Sequence, residues 1–95
     1  MTHIQEDPSA LDYQHIRIDH WNTVATNFKH WGQRGGYYRQ RLQEVFATVI
    51  PAGQRVLEIG CSRGDLLAAM QPAYGVGIDF SADMIKLARE AHPEL

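Results

Sequence analysis

Two short segments of this 95-residue chain combine glycines and carboxylates in an order that suits ligand binding. The first reads Glu58-Ile59-Gly60-Cys61-Ser62-Arg63-Gly64-Asp65, and the second reads Asp79-Phe80-Ser81. Gly60 and Gly64 allow a tight turn and a close approach of a ligand to the backbone. The carboxylate of Asp79 can accept hydrogen bonds from both hydroxyls of a vicinal diol such as a ribose. These residue types predict a nucleoside-binding crevice.

The flanking pattern predicts the elements that would position both segments. Residues 56–59 and 76–79 are short apolar runs that suit strands buried on both faces. Asp65 is placed to cap a helix over 66–70, and Ser81 is placed to cap the next one. This β-α-β-α order with short connections predicts an α/β fold with parallel strands. Ligands bind outside the carboxyl ends of such strands, which is where both segments lie.

The N-terminal half has helical periodicity. An apolar stripe from Trp21 to Phe28 predicts a first helix, with Asp19 as its candidate cap. A second stripe predicts a helix that ends by Ile50, because Pro51 follows it. Residues 1–15 show no clear period and are expected to form a flexible tail. The predicted units are therefore a tail over 1–15, N-terminal helices over 16–54 and a β-α-β-α unit over 55–95.

The glycine spacing bears on which nucleoside is bound. The dinucleotide fingerprint is G-x-G-x-x-G, but Ser62 and Asp65 occupy its second and third glycine positions when counted from Gly60. Asp65 would place negative charge near a pyrophosphate, and no G-K-[ST] phosphate loop occurs. The pattern favours a ligand without phosphate that carries an amino group, a positive centre and a ribose. The negative carboxylate of Glu58 would attract the amino group and the positive centre of such a ligand.

Residues 56–67 (VLEIGCSRGDLL) resemble the first motif of class I S-adenosylmethionine-dependent methyltransferases. Residues 75–89 (GVGIDFSADMIKLAR) resemble the second-strand motif of the same family. The likeness covers about residues 20–95 and is closest from 55 to 89. It implies a Rossmann-like fold, S-adenosylmethionine as the cofactor, and methyl transfer to a small-molecule acceptor. The family domain continues with further strands, so we expect a truncated N-terminal part that is inactive alone.

The resemblance also implies roles for individual residues. Glu58 would face the methionine amino group, Asp79 would hold the ribose hydroxyls, and the glycine loop would form the floor under the methionine and ribose. The first helix, with Phe28 and Trp31, resembles the N-terminal lid of the small-molecule branch. Ser62 replaces the usual middle glycine, and no residue is assigned as a catalytic base. Phe80 and Met84 would lie near the adenine. The implied cofactor contacts are Glu58, Gly60, Cys61, Ser62, Gly64, Asp79, Phe80 and Met84.

Composition argues against several other classes. The chain is 44% apolar and 21% charged, as in ordinary globular domains, and its net charge of −2 argues against nucleic-acid binding. No apolar run approaches 18 residues, so no membrane span is expected. A single cysteine, Cys61, and no secretory leader favour a cytoplasmic location. The five histidines lack metal-ligand spacing, so no metal site is expected. We interpret Cys61 as a small buried side chain rather than a nucleophile.

Two alternatives stay open. The first alternative is a truncated, non-catalytic module that associates with itself, because the two predicted strands have no third strand to cover their edges. The other alternative is a nucleoside-binding domain of another kind, such as an NAD enzyme. Binding of NAD compared with S-adenosylhomocysteine separates that alternative from the methyltransferase.

Overall fold

A computed structural model describes residues 8–31 and 36–95, without the side chains of residues 28–31. Over these ranges two N-terminal helices precede a β-α-β-α unit. The predicted lid side chains of Phe28 and Trp31, and residues 1–7 of the predicted tail, lie outside the described residues. In chain order the elements are α1 (Pro8–Trp31), α2 (Gly36–Val49), β1 (Arg55–Ile59), α3 (Asp65–Ala69), β2 (Tyr74–Ile78) and α4 (Ala82–Ala91).

The two strands form an open, parallel, two-stranded sheet. Their register runs from Arg55 opposite Tyr74 to Ile59 opposite Ile78. This arrangement confirms the predicted α/β class and the parallel β-α-β-α order. Because the strands are parallel and end in register, the loops that follow Ile59 and Ile78 lie at the same edge of the sheet.

One face of the sheet is covered by α3 and the other is open. A Cβ added to Gly77, which pairs with Glu58, would meet Cys61 and Leu67, so this face lies against the glycine loop and α3. On the opposite face Leu57 is 60% exposed and Ile59 is 78% exposed. The expectation that the strands are buried on both faces is therefore wrong, because no other element of residues 8–31 and 36–95 lies over that side.

The first helix begins earlier than its apolar stripe predicts. α1 starts at Pro8, so the assignment of residues 8–15 to a tail is wrong. Proline is tolerated at the first helical position, where its missing N–H would have no intrahelical acceptor. Asp19 lies inside α1 and is not its cap, and its carbonyl accepts the hydroxyl of Thr23 at 2.9 Å. The first half of α1 is largely exposed, with Tyr13 66% exposed, which explains why no apolar period marks it.

Of the two helix caps predicted in the β-α-β-α unit, one is confirmed and the other is wrong. Ser81 caps α4 as expected, since its Oγ accepts the N–H of Met84 at 3.2 Å. Asp65 does not cap α3, because Gly64, in the left-handed region at φ 84°, occupies that position without a side-chain hydrogen bond. The predicted end of α2 before Pro51 is confirmed.

The N-terminal helices pack on the helices of the β-α-β-α unit. α1 contacts α4, and α2 contacts α3. The most deeply buried side chains are those of Leu67, Met84 and Ser81. In the part of the chain that the structure describes, no helix is both long enough and apolar enough to cross a membrane.

Candidate functional site

The loops that follow the two strands are joined by the carboxylate of Asp79. Its Oδ2 accepts the backbone N–H of Ser62 at 2.9 Å, and its Oδ1 accepts the backbone N–H of Ser81 at 2.9 Å. An ionised carboxylate offers about four acceptor positions, so each oxygen retains one for a further donor. Asp79 therefore fixes the geometry of the edge and still has capacity for a ligand.

The glycine loop (residues 60–64) has a backbone that requires left-handed conformations. Gly60 has φ 78° and Gly64 has φ 84°, as the sequence predicts for a tight strand-to-helix turn. A Cβ added at Gly60 would meet no atom within 4 Å, so open space lies beside this backbone. A ligand can therefore approach the chain closely at Gly60.

The N–H groups of this loop are largely used within the protein. Gly60 and Cys61 both donate to the carbonyl of Ile78, at 2.8 and 3.0 Å. Gly64 donates to the carbonyl of Cys61 at 2.8 Å, and Ser62 donates to Asp79. These four donors are the groups with which a phosphate-binding loop would hold its anion. The glycine loop thus offers open space beside the carboxylates of Glu58 and Asp79, rather than free N–H groups that would hold an anion.

Ser62 stands in the left-handed region with φ 50°. A non-glycine residue there costs of order 1–3 kcal/mol unless its surroundings hold it. The hydrogen bond from its N–H to the Asp79 carboxylate is such a restraint, because it ties the glycine loop to the loop after β2. The structure thus accommodates a serine at this left-handed position of the glycine loop.

Glu58 carries an unsatisfied buried atom. Its Oε1 has no hydrogen-bond partner among the described residues, and burial raises the pKa of this carboxyl. Buried polar atoms without partners are rare in folded proteins, and each one calls for an explanation. Glu58 lies on the covered face of β1, opposite Gly77, on the side that faces Cys61. A donor from a ligand at this edge would satisfy the atom.

Cys61 is a packing residue, as the sequence predicts. Its side chain is 6% exposed, and a Cβ at Gly77 would lie 2.7 Å from its Sγ. Burial raises the pKa of the thiol, and the charges of Asp79 and Glu58 raise it further. The thiol therefore stays protonated at neutral pH, which excludes the activation a nucleophilic cysteine needs.

The two residues predicted near an adenine occupy different environments. Phe80 follows Asp79 directly and is 47% exposed. Met84 is 1% exposed and packs inside the core, with its N–H bonded to Ser81. Phe80 is thus available at the edge of the site, whereas Met84 acts in this conformation through packing, and its contact with a ligand stays a prediction.

Asn22 belongs to this region, although the sequence reasoning missed it. The Ser81 hydroxyl, which is fully buried, donates to Asn22 Oδ1 at 2.5 Å. Asn22 sits on α1 three residues before Ala25, which is also buried. A short amide one helical turn from a core alanine is the sequence signal that would have indicated an inward-facing polar contact.

A separate cavity of about 760 Å³ lies between α3, β2 and α4. Cys61 and Gly64 line it, whereas Glu58 and Asp79 do not. At its rim His92 Nε2 lies 2.7 Å from Asp65 Oδ1. Among the residues described, no three His, Cys, Asp or Glu side chains are grouped as metal ligands would be. Because neither Glu58 nor Asp79 lines it, the cavity is distinct from the carboxylate edge.

Comparison with protein-family models, curated proteins and solved structures finds no match to the chain.

Proposed function

We propose that the chain is the S-adenosylmethionine-binding part of a class I methyltransferase with a Rossmann-like α/β fold. The observation that carries the proposal is a pair of carboxylates, Glu58 and Asp79, at the carboxyl ends of two neighbouring parallel strands. Both have acceptor capacity that the fold leaves unused. Ligands of open parallel sheets bind at this edge.

Glu58 suits a ligand that carries an ammonium group. Its buried Oε1 has no partner among the described residues, and its charged form is disfavoured by burial. A cationic donor would satisfy that oxygen and stabilise the carboxylate, since an opposite charge nearby favours the charged form. This supports binding of the amino-acid end of the cofactor at Glu58.

Asp79 suits a ligand that carries a vicinal diol. Each of its oxygens accepts one backbone N–H and has a second position open to a ribose hydroxyl. The glycine loop beside it uses four of its N–H groups internally, which argues against NAD and other ligands that depend on a phosphate cradle. A nucleoside without phosphate fits a site whose carboxylate can accept hydrogen bonds and whose loop N–H groups are used within the protein.

The residues therefore fit the cofactor, which when bound supplies a methyl group already activated on a sulfonium. Glu58 and Asp79 would hold its two polar ends, while Gly60 and Ser62 shape the loop between them. Phe80 and Met84 stay assigned to the adenine side. The chain's own contribution is to bind and orient the cofactor. A small-molecule acceptor and a cytoplasmic location complete the proposal.

Calorimetric titration with S-adenosylhomocysteine and with NAD tests the proposal directly. We expect saturable binding of S-adenosylhomocysteine and much weaker binding of NAD. Asp79→Asn and Glu58→Gln variants of the same chain should each bind S-adenosylhomocysteine more weakly. Tighter binding of NAD would favour the other nucleoside-binding class and overturn the methyltransferase assignment.

A second candidate is a non-catalytic module that associates with a second copy of itself. It is favoured by the open sheet face, where Leu57, Ile59 and Ile78 are 60%, 78% and 47% exposed. The outer edges of the two-stranded sheet also carry backbone groups that a second copy could pair with. Light scattering after size exclusion decides whether such a dimer forms.

A further inference from the structure

One hydrogen-bonded chain connects α1 with the carboxylate edge of the sheet. Asn22 Oδ1 accepts the hydroxyl of Ser81 at 2.5 Å, and Ser81 N–H donates to Asp79 Oδ1 at 2.9 Å. The other oxygen of Asp79 holds the N–H of Ser62 in the glycine loop. Four residues from three separate parts of the chain thus share one continuous set of hydrogen bonds.

Because the Ser81 hydroxyl is buried, its orientation depends on its hydrogen-bond partners in the protein. Ser81 is 0% exposed, and its Oγ both donates to Asn22 and accepts the N–H of Met84. A hydroxyl has one proton, so the acceptor at Asn22 fixes the direction in which Ser81 donates. Without Asn22 the buried hydroxyl proton would lose this acceptor, and an unsatisfied buried donor is costly. The orientation of Ser81 therefore depends on α1 being docked.

We propose that Asn22 is a positioning residue that couples the docking of α1 to the ligand-binding state of Asp79. The inference rests on the proposed function and names a route by which the site is regulated. When a ligand engages Asp79 it stabilises the bonded arrangement of Ser81 and, through it, the contact with Asn22. By linkage, docking of α1 favours the ligand-competent position of Asp79 to the same degree.

Neighbouring polar residues of α1 provide matched controls. Thr23 lies next to Asn22 and is exposed, and its hydroxyl donates to the carbonyl of Asp19 in the same helix. Thr23→Leu therefore changes the helix surface without touching the connection to Ser81. Asn22→Leu removes the acceptor at similar size, whereas Asn22→Asp keeps an oxygen in place of Oδ1.

The first test is amide hydrogen exchange of the α1 segment over residues 18–27 without ligand. We expect about fivefold faster exchange in Asn22→Leu, the factor that one net hydrogen bond gives, and wild-type rates in Asn22→Asp and Thr23→Leu. Asp79→Ala removes the acceptor of the Ser81 N–H and should accelerate exchange in the same α1 segment, although residue 79 lies outside it. Wild-type α1 exchange in Asp79→Ala would overturn the coupling, because a purely local role of Asn22 would leave that rate unchanged.

The second test adds S-adenosylhomocysteine and compares two segments. In the wild type we expect slower exchange both over residues 58–64 and over residues 18–27. In Asn22→Leu the ligand should slow residues 58–64 alone. Equal slowing of α1 in both proteins would overturn the proposal. Failure of the ligand to slow residues 58–64 in any variant would instead refute the proposed function, and the ligand-free comparison with Asp79→Ala would still decide the coupling.

Discussion

Asp79 accepts the backbone N–H of Ser62 at 2.9 Å, across 17 positions of the chain. The bond fastens the loop after β2 to the loop after β1, and it holds Ser62 in a conformation that serine rarely adopts. The same carboxylate accepts the N–H of Ser81. One side chain thus organises the edge of the sheet where a ligand would bind, so its removal has both a structural and a binding consequence.

Replacing Asp79 with alanine should weaken S-adenosylhomocysteine binding by about 1.5–3 kcal/mol, the range for hydrogen bonds to a charged group. It should also lower Tm, because two backbone N–H groups lose their acceptor. Asp83→Ala is the control, since Asp83 is an exposed carboxylate in the first turn of α4. Calorimetry on folded variants measures the affinities. Unchanged affinity in Asp79→Ala would remove Asp79 from the site.

Local chemistry made some of this edge predictable. Gly60 and Gly64 adopt the left-handed conformations that their spacing indicates, and Ser81 forms the cap that its position before a helix indicates. These features depend on residues close in sequence. The parallel pairing of β1 with β2 also followed from the order of elements, because a crossover through a helix is the usual connection between parallel strands.

Features that depend on distant parts of the chain were harder to predict. The contact between Asn22 and Ser81 spans 59 positions. The spacing of Asn22 and Ala25 could indicate that Asn22 faces inward, but not which distant residue it contacts. The open face of the sheet could not be predicted from Leu57 and Ile59, because apolar side chains alone do not say whether another element covers them. The start of α1 at Pro8 lacked an apolar period, since that half of the helix is largely exposed.

Glu58→Gln should raise Tm near pH 7 and leave it unchanged near pH 4. Burial raises the pKa of the Glu58 carboxyl in the folded state, so the folded state holds this proton more tightly than the unfolded state. The free energy of unfolding therefore falls as pH rises from the ordinary glutamate range through the raised pKa, and it stays lowered above that pKa. A glutamine side chain does not ionise, so the Glu58→Gln variant does not lose stability in this way as pH rises.

Thermal melts of wild type and Glu58→Gln between pH 4 and pH 8 check this difference. Glu90→Gln serves as the control, because it makes the same substitution at an exposed position of α4. A Tm difference for Glu58→Gln that is the same at every pH would contradict the assignment of Glu58 as a desolvated carboxyl.

Gly60→Val should abolish S-adenosylhomocysteine binding, whereas Gly53→Val should preserve it. Both glycines have positive φ, 78° and 84°, and a Cβ at either would meet nothing within 4 Å. The backbone strain is therefore comparable, and Tm should fall in both variants. Gly60, however, lies beside the proposed ligand, where the valine side chain would fill the open space. Retained affinity within twofold in a folded Gly60→Val would show that the loop does not approach the ligand.

Gly77→Ala should destabilise the fold by about 1–3 kcal/mol, as overpacking of a tight contact does. The added Cβ would lie 2.7 Å from Cys61 Sγ and 2.8 Å from Cys61 Cβ. Gly36→Ala is the control, because a Cβ there meets nothing within 4 Å at the start of α2. Urea denaturation measures the free energy of unfolding of both variants. The double variant with Cys61→Gly should recover part of the loss, and no recovery would place the strain elsewhere.

The open face of the sheet should drive association with a second copy. Leu57 and Ile59 point away from α3 and are 60% and 78% exposed, so the face they form is apolar and uncovered within the described residues. Within the described residues, no third strand pairs with the outer backbone groups of this two-stranded sheet. Burying this face in a dimer removes apolar area from water and pairs these groups.

Charge placed on that face should therefore prevent the association. We expect the wild type to run above its monomer mass of 10.8 kDa in size exclusion with light scattering. A Leu57→Lys/Ile59→Lys variant should run as a monomer, because two ammonium groups in the dimer interface would have to be desolvated. Tyr37→Lys is the control, since Tyr37 is 82% exposed on α2 and remote from the sheet in sequence. A wild type that stays monomeric at high concentration with a sharp cooperative melt would refute the association. If Tyr37→Lys alone dissociates the dimer, the interface lies on α2 and not on the sheet.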